Sequence, residues 1–479
     1  MSVDTPARPK AGTSPTPAPA QGRRYRAVWR WHFYAGLIVA PVLVLLAATG
    51  SLYLFKDPYE NWRYKDLRSV SASGTAQPLS TQIDAAKATR PGRALKSVIP
   101  AGRPDRSTRV ILAGTESGPF AQGVSVYVNP YTGKVLGEVD DSATLMRKIR
   151  TLHGELMVGP IGDRVVETSA CWALVLAGSG VYLWWRGPAR KRVKNRAGRP
   201  LLRRVHALTG VWAGVVIVFL IISGLPWSGV WGDGLKKVSA KIGSTPPEGE
   251  QYERSSTPPA KAGDLSQDPD TKVPWAAEEQ PVPSSGHAQH GGTSGSTVGA
   301  IPVEQALRAV AARAPHCPPA SCDYKVLLPK GERGVYTITV GSVANPADER
   351  TMHVDQYSGA VIGSYGWKEY GTLAKAVEQG ISLHEGRRYG PANIAVMLAA
   401  CLALITLTVT GVWMWWKRRP RGSVGAPRRP ADRRTTLGVA AIMLVAGLLF
   451  PLAGITMLAA LLIDVAIVQR VPALSRRFG

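Results

Sequence analysis

Four long apolar runs constrain this chain more than any other feature. Residues 35–55, 207–230 and 392–416 carry no acidic or basic side chain, and residues 165–185 carry only Glu167. Each is long enough to cross a bilayer core of about 30 Å as a helix. A fifth run, residues 437–468, is apolar apart from Asp464, and as one helix would be about 48 Å long. Pro451 near its middle favours two short helices in a hairpin. The expectation is six spans with both termini on the cytoplasmic side.

Charge placement sets that orientation. The 479-residue chain is strongly basic, formally +25, which raises nucleic acid and anionic lipid as partners. Residues 186–204 carry nine Lys/Arg and no acid, and residues 417–434 carry eight with only Asp432 against them. Both stretches are short and flank apolar runs, the positive-inside pattern of cytoplasmic loops. Arg23, Arg24, Arg26 and Arg30 precede the first run in the same way. The reading is therefore membrane lipid and no nucleic acid. The Pro-, Ala- and Thr-rich tail (1–30) reads as disordered, and it is too long and polar for a cleavable signal peptide.

Two larger polar segments alternate with the spans and fall outside the membrane on the far side. In residues 56–152, the stretch 123–137 alternates apolar and polar residues on both sides of Asn129-Pro130-Tyr131-Thr132-Gly133, a hairpin with a glycine turn. Residues 80–89 read as an amphipathic helix. In residues 231–382, the part 245–297 is rich in Pro, Ser, Gly and charge and reads as a loose linker. Residues 303–313 have helical apolar spacing. Residues 352–363 repeat the earlier hairpin, with Tyr357-Ser358-Gly359 matching Tyr131-Thr132-Gly133.

The chain is internally repeated. His32 precedes Gly36 and Gly50 by the same offsets at which His206 precedes Gly210 and Gly224. His153 precedes Gly159-Pro160, Gly180 and Trp184-Trp185 as His384 precedes Gly390-Pro391, Gly411 and Trp415-Trp416. Two copies of one unit follow: an outward helix with its histidine at the cytoplasmic lip, a folded outer segment, an inward helix with a histidine at the outer face, and a basic loop (187–204, 417–434). Entering the membrane from one side, the copies predict a pseudo-two-fold axis along the membrane normal. A planar ligand on that axis meets one imidazole from each copy. Axial ligation by His32 with His206, and by His153 with His384, is b-type haem coordination, and two levels predict two b-type haems.

Other readings remain at this point. Histidines are common at interfaces because the ring tolerates a half-wet site. A bare metal ion would need a third and fourth ligand that neither level offers. Transport would call for ionisable groups within the spans, which three of the four runs lack. Without haem, the chain would be a non-redox surface protein that senses or restrains peptidases, and a colourless one.

Trp31-His32-Phe33-Tyr34-Ala35-Gly36, the two Tyr-Thr/Ser-Gly turns, Leu152-His153-Gly154-Glu155 and Leu383-His384-Glu385-Gly386 resemble the PepSY-associated transmembrane family, iron-regulated bacterial membrane proteins that include ferric-siderophore reductases. The resemblance covers about residues 24–419. It implies an α-helical integral membrane protein of two pseudo-symmetric repeats, each with two His-bearing helices and an extracytoplasmic α+β PepSY-like domain, followed by a helical hairpin (435–469). It also implies a bacterial inner-membrane location and reduction of a ferric siderophore or other ferric chelate on the outer side. The Pro/Gly/Ser-rich insertion departs from the family pattern. Because no cytoplasmic segment can house a flavin or nicotinamide domain, and no Gly-x-Gly-x-x-Gly opens a helix after a strand, a separate electron donor or membrane quinol is required.

Other residues have plainer expectations. Cys317 and Cys322 would form a disulfide in an oxidising compartment, and Cys171 and Cys401 are packing residues. His287 and His290 belong to the linker, His316 has no repeat partner, and His353 is expected to face solvent on its strand. Asp163, Arg164 and Glu167 read as interfacial charge pairs. Arg387 and Arg388 are candidates for binding haem propionates or an anionic substrate.

Overall fold

The computed structural model describes residues 20–114, 123–187, 199–245, 261–266, 268–285, 300–314, 323–331, 333–341, 344–420, 424–425, 441 and 444–474. Among them, five helices are long and apolar enough to cross a membrane: Arg24–Tyr53, Pro160–Arg186, Leu201–Trp227, Pro391–Arg418 and Pro451–Val468. These are parts of α1 (Ala20–Tyr53), α6 (Pro160–Arg186), α7 (Arg199–Gly224, prolonged by a turn), α11 (Pro391–Arg418) and a final helix. Apolar side chains on them lie open rather than packed, as lipid permits: Trp212 and Val215 of α7 are 82% and 79% exposed. The expected first limb of the last hairpin falls mostly outside the described residues. Its visible end, 444–449, is helical and meets the final helix where Gly447 and Gly454 touch backbone to backbone.

Both α1 and α7 begin earlier than the apolar runs, so His32 and His206 stand within helices rather than at their first turn. The two histidine–Gly-Pro stretches break where expected. Helix α5 (Leu145–Glu155) ends before Gly159 and α10 (Thr372–His384) before Gly390. Both glycines adopt positive φ (64° and 57°), and Pro160 and Pro391 open the next helices. Proline suits that first position because its missing N–H has no helical partner to lose.

By its internal contacts the chain divides into two units. One comprises residues 39–174 and 209–409, the other residues up to 38, 175–208 and 410 onward. The first unit contains the sheet. Strands β1 (Leu95–Ile99), β2 (Thr108–Ala113), β3 (Gly123–Val128) and β4 (Val135–Asp140) form an antiparallel meander. So do β5 (Tyr324–Leu327), β6 (Val335–Val340), β7 (Arg350–Asp355) and β8 (Val361–Gly366). Both expected hairpins are present, and the expected helices are α4 (Leu79–Thr89) and α9 (Val303–Arg313). The two meanders are not separate sheets. Antiparallel pairing of β1 with β5, Ser97 opposite Leu327 and Val98 opposite Val326, joins them in the order β4-β3-β2-β1-β5-β6-β7-β8. Pairing the two inner edges removes a row of unsatisfied N–H and C=O groups from each meander.

Helices α4 and α9 cover one face, and a single apolar core runs through both halves, from Val110, Val126 and Val128 to Ile338, Met352 and Val354. Glu304 of α9 caps the start of α4, accepting from the Ser80 N–H at 2.6 Å. The other face alternates to polar residues as the sequence pattern requires, yet it too is buried. Ser125, Thr351 and His353 are fully enclosed. The solvent-facing expectation for His353 is therefore corrected: its ring bonds the Thr337 hydroxyl at 2.9 Å and the Tyr365 hydroxyl at 2.9 Å.

Part of what encloses the unit is the stretch read as a loose linker. Residues 261–285 are packed: Val273, Trp275, Ala276 and Ala277 form a second core with Tyr365, Tyr370 and α10. The Trp275 indole donates to the Pro226 carbonyl at 3.1 Å. The remaining linker residues, His287, His290 and His316, and the Cys317–Cys322 pair lie outside the described residues.

The unit's other helices are α2 (Lys56–Arg63), α3 (Lys65–Arg68) and α8 (Trp231–Lys241). The expected charge pairs on α6 are present, Arg164 with Asp163 at 2.6 Å and with Glu167 at 3.9 Å, and the buried Glu167 also accepts from the Val230 and Trp231 N–H groups at 2.9 and 3.0 Å. It caps α8, whose N-terminal amides and dipole favour a carboxylate.

Candidate functional site

The repeat-equivalent histidines lie together. In the unit built from the chain's two ends, the His32 and His206 rings are 6.5 Å apart between centroids, with planes at 86°. In the sheet-bearing unit, His153 at the end of α5 and His384 at the end of α10 are near enough that a charge on His384 lowers the pKa of His153. Burial is the larger cause, and the two together bring His153 down to about 4. Burial likewise lowers His384. The shift favours the neutral ring in both, the form that ligates metals.

Each imidazole rests on a hydroxyl–glycine dipeptide of a neighbouring helix. His32 Nδ1 is 2.8 Å from Ser179 Oγ, His206 Nδ1 is 3.1 Å from Thr410 Oγ1, His153 Nδ1 is 2.9 Å from Thr49 Oγ1, and His384 Nδ1 is 3.0 Å from Ser223 Oγ. The next residue is in every case glycine, and a Cβ built there would sit 3.3 Å from His32 Cε1 at Gly180 and 3.5 Å from His206 Cε1 at Gly411. The corresponding approaches are 3.3 Å at Gly50 and 3.1 Å at Gly224. Glycine is needed because the ring lies against the helix backbone.

Thr49, Ser223 and Ser179 also lie within hydrogen-bond distance of a backbone carbonyl: Leu45 at 2.7 Å, Phe219 at 2.7 Å and Leu176 at 3.1 Å. With the hydroxyl proton on that carbonyl, the hydroxyl accepts from the ring, Nδ1 carries the hydrogen and Nε2 keeps its lone pair. Metal-ligating histidines are held in this way by a hydrogen bond through the second nitrogen.

The arrangement suits one kind of metal group. Two imidazoles binding the same metal atom at about 2.0 Å per nitrogen have centroids about 6 Å apart, close to the spacing of His32 and His206. A bare ion would want further ligands, and the described residues contain no group of three or more His, Cys, Asp or Glu able to hold one. A porphyrin brings its own four nitrogens and needs only the two axial ones. Each of the four histidine residues keeps some exposed surface.

Sequence offsets located all four histidines and their glycines. They missed Thr49, Ser179, Ser223 and Thr410, although these residues repeat in the same register, one place before each glycine. That adjacency was the available signal.

Residues 29–418 match the family described as PepSY-associated TM region. The chain belongs to the PepSY-associated TM family. The matched stretch contains every histidine and hydroxyl of both pairs. No curated protein matches the chain.

Other candidate residues of this PepSY-associated TM protein take ordinary partners. Arg387 pairs with Glu385, although its Nε is buried without a hydrogen bond, and Arg388 Nε donates to Gln379 at 3.0 Å. Cys171 and Cys401 are free and buried, as packing residues should be. At the cationic ends of α1 and α11, the Arg418 guanidinium lies over the Trp29 ring, 4.8 Å from its centroid, and that of Arg419 lies 3.7 Å over Trp416. Such arginine–aromatic pairs suit a membrane–water boundary.

Proposed function

We propose that this protein is a two-haem b-type electron-transfer protein of the bacterial inner membrane that reduces a ferric siderophore or other ferric chelate on the periplasmic side. The observation that carries the reading is the four-fold Nδ1-to-hydroxyl arrangement, which leaves Nε2 of each ring for a metal, with no third protein ligand among the described residues. His32 and His206 would hold one haem, and His153 and His384 the other. The bound groups would supply one-electron chemistry.

The protein's own part is to present neutral imidazoles with Nε2 free, and Thr49, Ser179, Ser223 and Thr410 hold that tautomer. The basic loops assign His32 and His206 to the cytoplasmic side, where they also favour an acidic donor; a membrane quinol is the alternative source of electrons. The sheet then lies outside, joined to the helices that bear His153 and His384. Its two meanders, with β1 paired to β5 at the centre, support the reading as two copies of one unit with both termini inside.

An absorption spectrum of the purified protein tests this first. A sharp Soret band and a strong α-band on reduction are expected of bis-histidine haem. A colourless protein that takes up no added haem would refute the redox reading and leave a non-redox surface role.

A further inference from the structure

In the sheet-bearing unit, the polar face of the first meander opens into a cleft lined by Lys56, Arg109, Arg147, Arg150, Asp268 and Asp270, among others. Most of its charges are matched. Arg109 donates to Asp141 at 3.2 Å and to Asp270 at 2.8 Å, Lys56 donates to Asp270 at 2.8 Å, and Arg68 donates to Glu60 at 2.7 Å. Among the described residues, Arg147 and Arg150, one turn apart on α5, have no carboxylate in ion-pair contact, and Nε and Nη1 of Arg147 are buried with no hydrogen-bond partner. The remaining acid, Asp268, accepts from the Asp270 N–H at 2.9 Å, and its second oxygen is buried without a partner. Buried guanidinium donors without acceptors are rare in native folds, and an acceptor brought by a ligand accounts for them.

The cleft adjoins the His153–His384 pair. Tyr53, which lines it, is one turn beyond Thr49, the residue that holds His153. Arg150 is one turn before His153, which feels its charge. The equivalent position at the second meander is not an arginine. The residue as far after Arg147 as His384 is after His153 is Glu378, buried and accepting from the Ala276 N–H at 2.8 Å. The polar face there is closed by the Thr337–His353–Tyr365 bonds.

We propose that this cleft binds a carboxylate of an anionic ferric chelate through Arg147 and Arg150, selecting negatively charged complexes for the outer histidine pair. The binding stands on the cleft alone; its use in reduction rests on the redox reading. A haem propionate has the same carboxylate chemistry, so the test must separate the two.

Gallium(III) citrate, which mimics a ferric carboxylate complex but takes no electron, is titrated calorimetrically into the full-length protein in detergent, with the haem spectrum recorded on the same samples. Wild type should bind. Arg147→Met and Arg150→Met should each weaken binding about tenfold or more with haem content unchanged, and Arg147→Lys should recover part of the loss. Either Met variant suffices if the other fails to fold. Absence of binding by wild type, or unchanged binding in the Met variants, overturns the proposal. Haem loss or a shifted Soret band in Arg147→Met with gallium citrate binding intact also overturns it, assigning the arginines to a propionate. A colourless protein that still binds through Arg147 would sink the redox reading and leave the cleft standing; a reducible haem protein that ignores gallium citrate would do the reverse.

Discussion

Thr49→Val isolates the hydroxyl under His153. Valine keeps the branched shape of threonine in a site where Thr49 is 6% exposed, so packing changes little. What is lost is the acceptor 2.9 Å from Nδ1. The Leu45 carbonyl, which took the threonine proton, keeps its helical amide partner. A neutral hydrogen bond of this kind contributes about 1 kcal/mol net, and about 2 kcal/mol is reasonable where it supports a metal-bound imidazole. Haem affinity at this pair should therefore fall about 5- to 30-fold. The midpoint potential should rise, because a ring that shares its proton less stabilises the ferric state less. Haem titration of the apoprotein and a redox titration of the reduced α-band measure the two effects. Thr49→Ser should restore both. If Thr49→Val left affinity and potential unchanged while His153→Ala abolished binding, the hydroxyl would not be setting the tautomer and the argument from Nδ1 would fail.

His153→Ala or His384→Ala should remove one haem and chelate reduction while leaving a haem reducible from the cytoplasmic side; His32→Ala should leave a haem that dithionite reduces and the physiological donor does not. Retention of both haems in all three would exclude these residues as axial ligands. Alanine at the four glycines should harm haem retention in the order of approach to the ring: Gly224→Ala most, with its Cβ 3.1 Å from His384 Cε1, and Gly411→Ala least, at 3.5 Å. Equal effects on pigment content at all four would refute the steric account. Burial, aided by the charge of Glu349, raises Glu378 to about 8. The folded state then binds this proton more tightly than the unfolded chain, a contribution complete below about pH 4 and lost as pH rises through 8. Thermal melts from pH 5 to 9 should show wild type losing stability relative to Glu378→Gln across that range, and parallel curves would contradict the shift. Reporter fusions test orientation: one after Lys194 should read cytoplasm and one after Gly263 periplasm, with reversed signals overturning the assignment of both histidine pairs to their faces.

Much of this protein was set by local sequence. The apolar runs and the proline after His153 and after His384 fix the spanning helices, because length and a missing N–H act within a few residues. Strand alternation around the two Tyr-Thr/Ser-Gly turns and the 3.6-residue spacing of α9 are equally local. Equal offsets also singled out the four histidines and their glycines, since a repeated unit places equivalent residues at equivalent points.

Tertiary structure decided what depends on a distant partner. Serine and threonine in apolar helices usually bond their own backbone, so nothing local marks Thr49, Ser179, Ser223 or Thr410 as the rests for imidazoles. Pairing of β1 with β5 depends on two edges that each hairpin pattern leaves unassigned, which is why two separate domains were expected where one sheet exists. Alternation tells which face of a strand is polar, not whether another segment covers it, so His353 was misplaced. The composition of 245–297 pointed to a loose linker, yet Trp275 and its neighbours anchor part of it, because a few buried aromatic and aliphatic side chains outweigh a polar average. Composition counts every residue alike; burial rewards only those that find a partner.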